Sequence, residues 1–202
     1  MGDLERADVR RNRERITEAA LAVFRERGIR AEIREVSERA GLGIATIYRY
    51  FTSKDELVME TVRDKLVETM AEIRQLYELS DPLIALKQIL IQELELVEYL
   101  GGLSEALNSQ PPRALVEDLR EEWEEFRAAE PFELLIRRAV ELGMLKKDLD
   151  VPVAAAMLSG LVVKRNWTPL LSQRTPTDLA ESAFAFFLRA SGNAPPDSQL
   201  NK

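Results

Sequence analysis

The chain has 202 residues, a net charge of −7, and neither cysteine nor histidine. Those two absences remove disulfides, zinc-finger ligation, thiol nucleophiles, imidazole bases and the Ser-His-Asp triad, so no metal, no cofactor and no enzymatic activity are expected. Nearly half of the residues are apolar, while glycine and proline are sparse, which points to an all-α protein of one or two domains.

The N-terminus, MGDLERADVRRN, lacks the apolar core of a signal peptide. The longest nearly apolar run, residues 151–163, has 13 residues, whereas a membrane span needs about 20. A cytoplasmic protein without a membrane partner is expected. Charge is unevenly spread: residues 1–54 carry 12 basic and 9 acidic side chains, and residues 55–202 carry 16 and 26. A mildly basic N-terminal part joined to an acidic remainder assigns the two parts different roles.

Arg10, Arg11, Arg13 and Arg15 open the first predicted helix, whose apolar stripe is Ile16, Ala20, Val23 and Phe24. The arginines could reach phosphates or simply solvate the helix; both readings stay open. Gly28 ends the helix, in the position where positive φ is favoured. Ile33, Val36 and Ala40 form the inner face of a short second helix, and Gly41-Leu42-Gly43 makes a tight turn after it. A third helix covers 44–51. At 100° per residue, Ile44, Ile47, Tyr48 and Phe51 fall on its inner side, and Ala45, Thr46, Arg49 and Tyr50 on its outer side. A helix this short with arginine, threonine and tyrosine outward has the size and chemistry to enter a DNA major groove. The plainer alternative is a small core helix whose outer residues are incidental.

Ser53-x-x-Glu56 is a capping box that starts a long helix with the stripe Val58, Val62, Leu66, Met70, Ile73 and Tyr77. Only Thr52-Ser53 separates it from the third helix, so a push on one would move the other. Asp81-Pro82 starts the next helix, with Leu86, Leu90, Leu94 and Val97 inward, and Gly101-Gly102 breaks it. A short helix over 103–108 and a long stretch over 113–142 follow, with a kink or break expected at Pro131. The acidic run Glu121, Glu122, Glu124, Glu125 reads as a solvated face. Gly143 ends the stretch.

The segment 151–167 has no polar face, and 179–188 carries Phe184, Phe186 and Phe187. Helices apolar all round are buried on more than one side, which predicts a subunit interface built on Ala156, Ser159, Gly160, Val163, Phe184 and Phe187, in a two-fold four-helix bundle. The tail from Ser191 is expected to be disordered.

Residues 13–54 resemble the DNA-binding domain of the tetracycline-repressor (TetR) family. The resemblance rests on RERITEAALAVFRERG, VSERAG and TIYRYFTSKDEL. GMLKKDLD at 143–150 is similar to the family's C-terminal half. The resemblance implies a three-helix helix-turn-helix domain (1–54), a helical ligand-binding and dimerisation domain (55–190) and a tail (191–202). It implies a homodimeric repressor that leaves its double-stranded DNA operator on binding a small effector. Carried over by position, Thr46, Tyr50 and Lys54 would contact phosphates, Ile44, Ala45 and Tyr48 would face base edges, and Arg34 would approach a base or the backbone. Arg49, on the outer side of the wheel, completes the DNA-binding set. The wheel and the resemblance put Ile44 and Tyr48 on opposite sides.

The sequence departs from the family at Gly43, where serine is common, at Glu32-Ile33, where a hydroxyl is common, and at Ile44, and the segment 29–40 is one residue short. Met70, Tyr99, Leu103, Leu107, Trp123, Phe126 and Trp167 are the candidate effector contacts; being apolar and aromatic, they predict a hydrophobic ligand. A helical carrier of apolar molecules with no DNA role is the alternative.

Overall fold

A computed structural model describes residues 2–104, 107, 117, 130–162 and 167–192. Among these residues the structure is helical throughout, apart from one isolated antiparallel bridge between Leu145 and Gly192. The helices are α1 (Gly2–Arg27), α2 (Ile33–Ala40), α3 (Ile44–Tyr50), α4 (Lys54–Leu76), α5 (Pro82–Leu100), α6 (Glu130–Glu141), α7 (Val151–Val162), α8 (Trp167–Leu171) and α9 (Pro176–Ser191), with 3-10 turns at Gly28–Arg30 and Gly101–Leu103. No described helix is long and apolar enough to cross a membrane. Trp123, Phe126, Val163, the acidic run and residues 193–202 of the tail lie outside the described residues.

The chain forms two compact units, Met1–Glu68 with Leu96–Trp123, and Thr69–Glu95 with Glu124–Lys202. α4 and α5 each contribute to both. The first unit thus runs past residue 54 and takes in the Gly101–Leu103 turn.

In the first unit the predicted α1 stripe is the core: Ile16, Ala20, Val23 and Phe24 are buried, together with Val36, Ile47, Phe51, Leu57 and Val58. Full burial of a side chain of this size stabilises by about 1.5–3 kcal/mol. Gly28 follows α1 with φ +65°, the conformation expected of a helix-ending glycine. It packs backbone to backbone on the 101–103 turn: a Cβ on Gly28 would lie 2.8 Å from the Gly102 carbonyl oxygen, and one on Gly102 would lie 2.9 Å from the Gly28 nitrogen.

In the second unit a single apolar cluster joins Leu86, Ile89 and Leu90 of α5, Leu135 and Ile136 of α6, Leu158 of α7 and Leu179 of α9. Pro131 lies in the first turn of α6, where its missing N–H costs nothing. Asp81 caps α5 by accepting from the Leu83 and Ile84 amides at 2.9 and 3.1 Å, as its position before Pro82 predicts. The end of α9 is tied down: the Lys146 amide donates to the Ser191 carbonyl at 3.0 Å, and the Lys146 ammonium donates to the Ala190 carbonyl at the same distance. Ser191, expected in the tail, is therefore a buried last residue of the helix.

The interface residues sort by helical phase. Phe184 and Phe187 are buried, with ring centroids 6.0 Å apart, inside the unit's own core, while Phe186 is 64% exposed. Three phenylalanines within four residues of a helix cannot share one face, so Phe184 and Phe187 turn inward and leave little surface for a partner, while Phe186 turns outward. On α7, Ala156 is exposed, Ser159 and Gly160 are half-buried, and Val153 and Met157 are 51% and 62% exposed.

Candidate nucleic-acid interface

The helix-turn-helix is built from local bonds. α2 starts on Glu32, whose amide donates to the Glu35 carboxylate at 2.8 Å. Glu32 thus occupies the cap position itself, where a carboxylate complements the helix N-terminus. α2 ends on Gly41, at φ +63°. The Gly41 amide donates to the Glu38 carbonyl, the Leu42 amide to the Ser37 carbonyl, and the Ser37 hydroxyl to the Leu42 carbonyl at 2.7 Å. Of the two glycines expected to permit the turn, only Gly41 adopts positive φ. Gly43 is extended at φ −66° and caps α3, a conformation open to any residue, including the serine common in the family.

α3 is anchored by Ile47 and Phe51, both 1% exposed. Ile44 and Tyr48, placed inward by the helical wheel, are 42% and 49% exposed. The wheel fails because α3 is only seven residues long and one buried side chain per turn suffices to dock it; a two-turn helix leaves the edges of its apolar arc outside. Ala45 and Arg49 are exposed, and Thr46 and Tyr50 are half-buried. Asn12 Nδ2 donates to the Tyr50 hydroxyl at 3.3 Å, and the Arg49 guanidinium sits 5.3 Å from the Tyr50 ring centre. Ile44, Ala45, Tyr48 and Arg49 thus form a continuous outward surface on a helix whose inner side is fixed.

The surrounding charges divide into structural and free-standing ones. Arg13 bonds the Glu60 carboxylate at 2.9 Å and stacks 4.9 Å over the Phe51 ring. The bond to Glu60 raises the Arg13 pKa further, so its charge is permanent. Arg15 donates to the Ala40 carbonyl at 2.8 Å. These two arginines brace α1 against α4 and α2. Arg10 and Arg11 make only local pairs, with Glu14 and Asp8, and stay exposed. Arg34 is exposed and pairs with Glu38 at 2.9 Å, a surface contact that a phosphate could displace at little cost.

The junction from α3 to α4 is also bonded. Ser53 accepts from the Glu56 amide at 3.1 Å, as the capping box predicts, but Glu56 reaches one residue further back, to the Thr52 amide and hydroxyl, both at 2.6 Å. The Thr52 hydroxyl and amide lower the Glu56 pKa. Lys54 donates to the Ile29 carbonyl, so the expected phosphate ligand also closes the turn after α1.

The candidate effector residues divide between the two units. Tyr99, Leu103 and Leu107 belong to the first unit, with Leu103 and Leu107 buried and Tyr99 half-buried near Arg25. Met70 and Trp167 belong to the second unit, where Met70 is buried and Trp167 packs on the edge of the core cluster.

The sequence model described as "Bacterial regulatory proteins, tetR family" matches residues 16–61, the segment that carries this geometry. The HTH-type transcriptional repressor KstR2 of Mycobacterium tuberculosis is 28% identical over 152 residues, 71% of this chain and 74% of its own length. These matches support a TetR-family regulator. Among solved TetR-type structures, the ketosteroid transcriptional regulator KstR2 of M. tuberculosis superposes with a TM-score of 0.70 at 24% identity, over 90% of this chain and 95% of that one. The transcriptional regulator FadR of Bacillus subtilis, in complex with stearoyl-CoA, does so with a TM-score of 0.63 at 18% identity, over 86% and 96%. Both share the TetR-family fold, all-α with an N-terminal helix-turn-helix and a C-terminal helical domain.

Proposed function

We propose that this chain is a ligand-responsive transcriptional repressor that binds a near-palindromic operator as a homodimer. The observation that carries this reading is the outer surface of α3: Tyr48 and Arg49 stand in solvent while Ile47 and Phe51 lock the helix from behind. Two copies would place their α3 helices in successive major grooves, about 34–36 Å apart. Arg34, Thr46, Tyr50 and Lys54 supply phosphate contacts, which makes affinity fall steeply with salt. Ile44 and Ala45 offer apolar contact, suited to a thymine methyl.

Replacing Tyr48 and Arg49 together by alanine should weaken binding to a selected operator by about 100-fold or more, at 1–3 kcal/mol for each lost contact. Both side chains are exposed, so the melting temperature should stay unchanged. Unaltered affinity in a gel-shift titration would remove α3 from the interface.

For the dimer, the supporting surface is on α7 and α9. Val153, Met157 and Phe186 are more than half exposed around a groove of about 260 Å³ floored by Leu158 and Phe187. A contiguous apolar patch of this kind marks an association surface. Changing Met157 and Phe186 together to glutamate should convert the dimer to monomer in sedimentation, with a change in monomer stability within about 0.5 kcal/mol, because both positions are on the surface. A dimer that persists would place the interface elsewhere.

The effector is read as large and apolar. One structural relative is a ketosteroid transcriptional regulator, and another holds stearoyl-CoA. Effector binding would favour a dimer whose half-site spacing no longer fits DNA. That requires different affinity for the two states and nothing more.

A further inference from the structure

Two polar side chains interrupt the apolar stripes of the second unit. Thr69, on α4, is 0% exposed between Leu66 and Ile73 on the buried stripe; Glu93, on α5, is 9% exposed between Leu90 and Leu94. Among the described residues, neither Thr69 Oγ1 nor Glu93 Oε2 has a hydrogen-bond partner. They stand apart from the other buried polar residues described. Ser37, Ser104 and Ser191 each donate to a backbone carbonyl, at 2.7, 2.8 and 2.5 Å. Thr17 and Thr61 likewise bond back to their own helices, the usual recourse of a helical hydroxyl. Thr69 does not.

An unmade bond on a buried polar group destabilises the fold, and leucine or valine at these positions would avoid it. Each group is left with a bond that a bound molecule can make. Burial alone, with no charged neighbour contributing, pushes the Glu93 carboxyl up to about 8. At neutral pH it is therefore an O–H donor, and Thr69 can donate or accept.

We infer that Glu93 and Thr69 are the polar anchors of the effector site, and that they take a largely apolar, uncharged molecule through a carbonyl or hydroxyl oxygen. This rests on the ligand-responsive reading above. The chemistry selects the class. A ligand carboxylate would set two acids in one apolar enclosure and force one to keep the proton. A ligand ammonium would ionise Glu93 and bury two ions, whose desolvation offsets most of their attraction. A neutral oxygen bonds either group without moving a charge. The anchors were hidden in the sequence because each lies at core spacing among residues read only for their apolar members.

The test uses three probes with the same eleven-carbon frame: 2-undecanone, undecanoic acid and undecylamine. Each is titrated at pH 7 into the full chain and into Glu93→Gln, Glu93→Leu and Thr69→Val, with circular dichroism checking the fold. The ketone should bind most tightly. Glu93→Leu should weaken it by about 10-fold or more and Thr69→Val by about 5-fold, the loss of one hydrogen bond each, while Glu93→Gln keeps a neutral donor and most of the affinity. Equal ketone affinity in the wild type and Glu93→Leu would overturn the inference. So would preference for the amine, abolished in Glu93→Gln. Binding of none of the three, by protein that still holds its selected operator, would overturn the anchors and leave the repressor standing. Glu93→Gln and Thr69→Val change shape least and carry the test if Glu93→Leu does not fold.

Discussion

Replacing Glu93 by glutamine should abolish a loss of stability that the wild type suffers as pH rises from about 4.5 to about 8. The carboxyl is buried without a partner, and its folded-state pKa is raised from 4.5 to about 8. A group whose pKa is higher in the folded than in the unfolded state binds its proton more tightly when folded. Its contribution is full below the unfolded value and is lost as pH rises through the folded one. Each unit of that interval is worth about 1.4 kcal/mol, so the difference between wild type and Glu93→Gln should shift by several kcal/mol across it. Glu56, with its lowered pKa, has the opposite sign but is present in both proteins and cancels. Urea unfolding of the pair at pH 5, 7 and 9 measures the effect. Parallel stability curves would mean that Glu93 is ionised and solvated at neutral pH, which would also remove the proton donor from the effector site.

Gly102→Val should destabilise the first unit and weaken operator binding. The new Cβ would meet the Gly28 nitrogen at 2.9 Å, the Arg25 carbonyl oxygen at 3.0 Å and the Gly28 Cα at 3.2 Å. These are all backbone atoms, so no rotamer change relieves them. Overpacking of this kind costs typically about 1–3 kcal/mol, with valine's branched methyls toward the upper end. The clash bears on the end of α1, the helix that Arg13 and Arg15 hold against α4 and α2. Operator affinity should therefore fall with stability, although Gly102 touches no DNA. Gly143→Ala is the control: its Cβ would meet nothing within 4 Å, leaving only the cost of its left-handed conformation at φ +73°, about 1–2 kcal/mol. If the two substitutions have equal effects on DNA binding, the close approach of the 28 and 102 backbones is not what holds α1 in place.

Much of the fold could be read from residue spacing because buried stripes recur every three to four positions over several turns. α1, α4 and α5 follow their predicted faces, and the capping residues Ser53, Asp81 and Gly28 act where they were expected. The failures share a cause: the helix is too short, or the polar residue too rare, for periodicity to decide. On α3, two turns gave the wheel too few points, and Tyr48 was placed correctly only through family resemblance. On α9, composition marked a phenylalanine-rich helix but not its phase, so the buried Phe184 and Phe187 were not told apart from the exposed Phe186. Thr69 and Glu93 were passed over because a stripe is recognised by what is apolar in it. Lys54, expected at a phosphate, bonds the Ile29 carbonyl, and spacing in sequence says nothing about a bond between residues 29 and 54.

The central claim is that two copies of α3 read two related half-sites on one duplex. Selection of bound duplexes from a random DNA pool at moderate salt tests it most directly. The recovered sequences should share an inverted repeat whose half-site centres lie about one helical turn apart, and the Tyr48→Ala, Arg49→Ala double variant should fail to enrich it. Recovery of no common sequence, or of a single unrepeated site, would contradict the account.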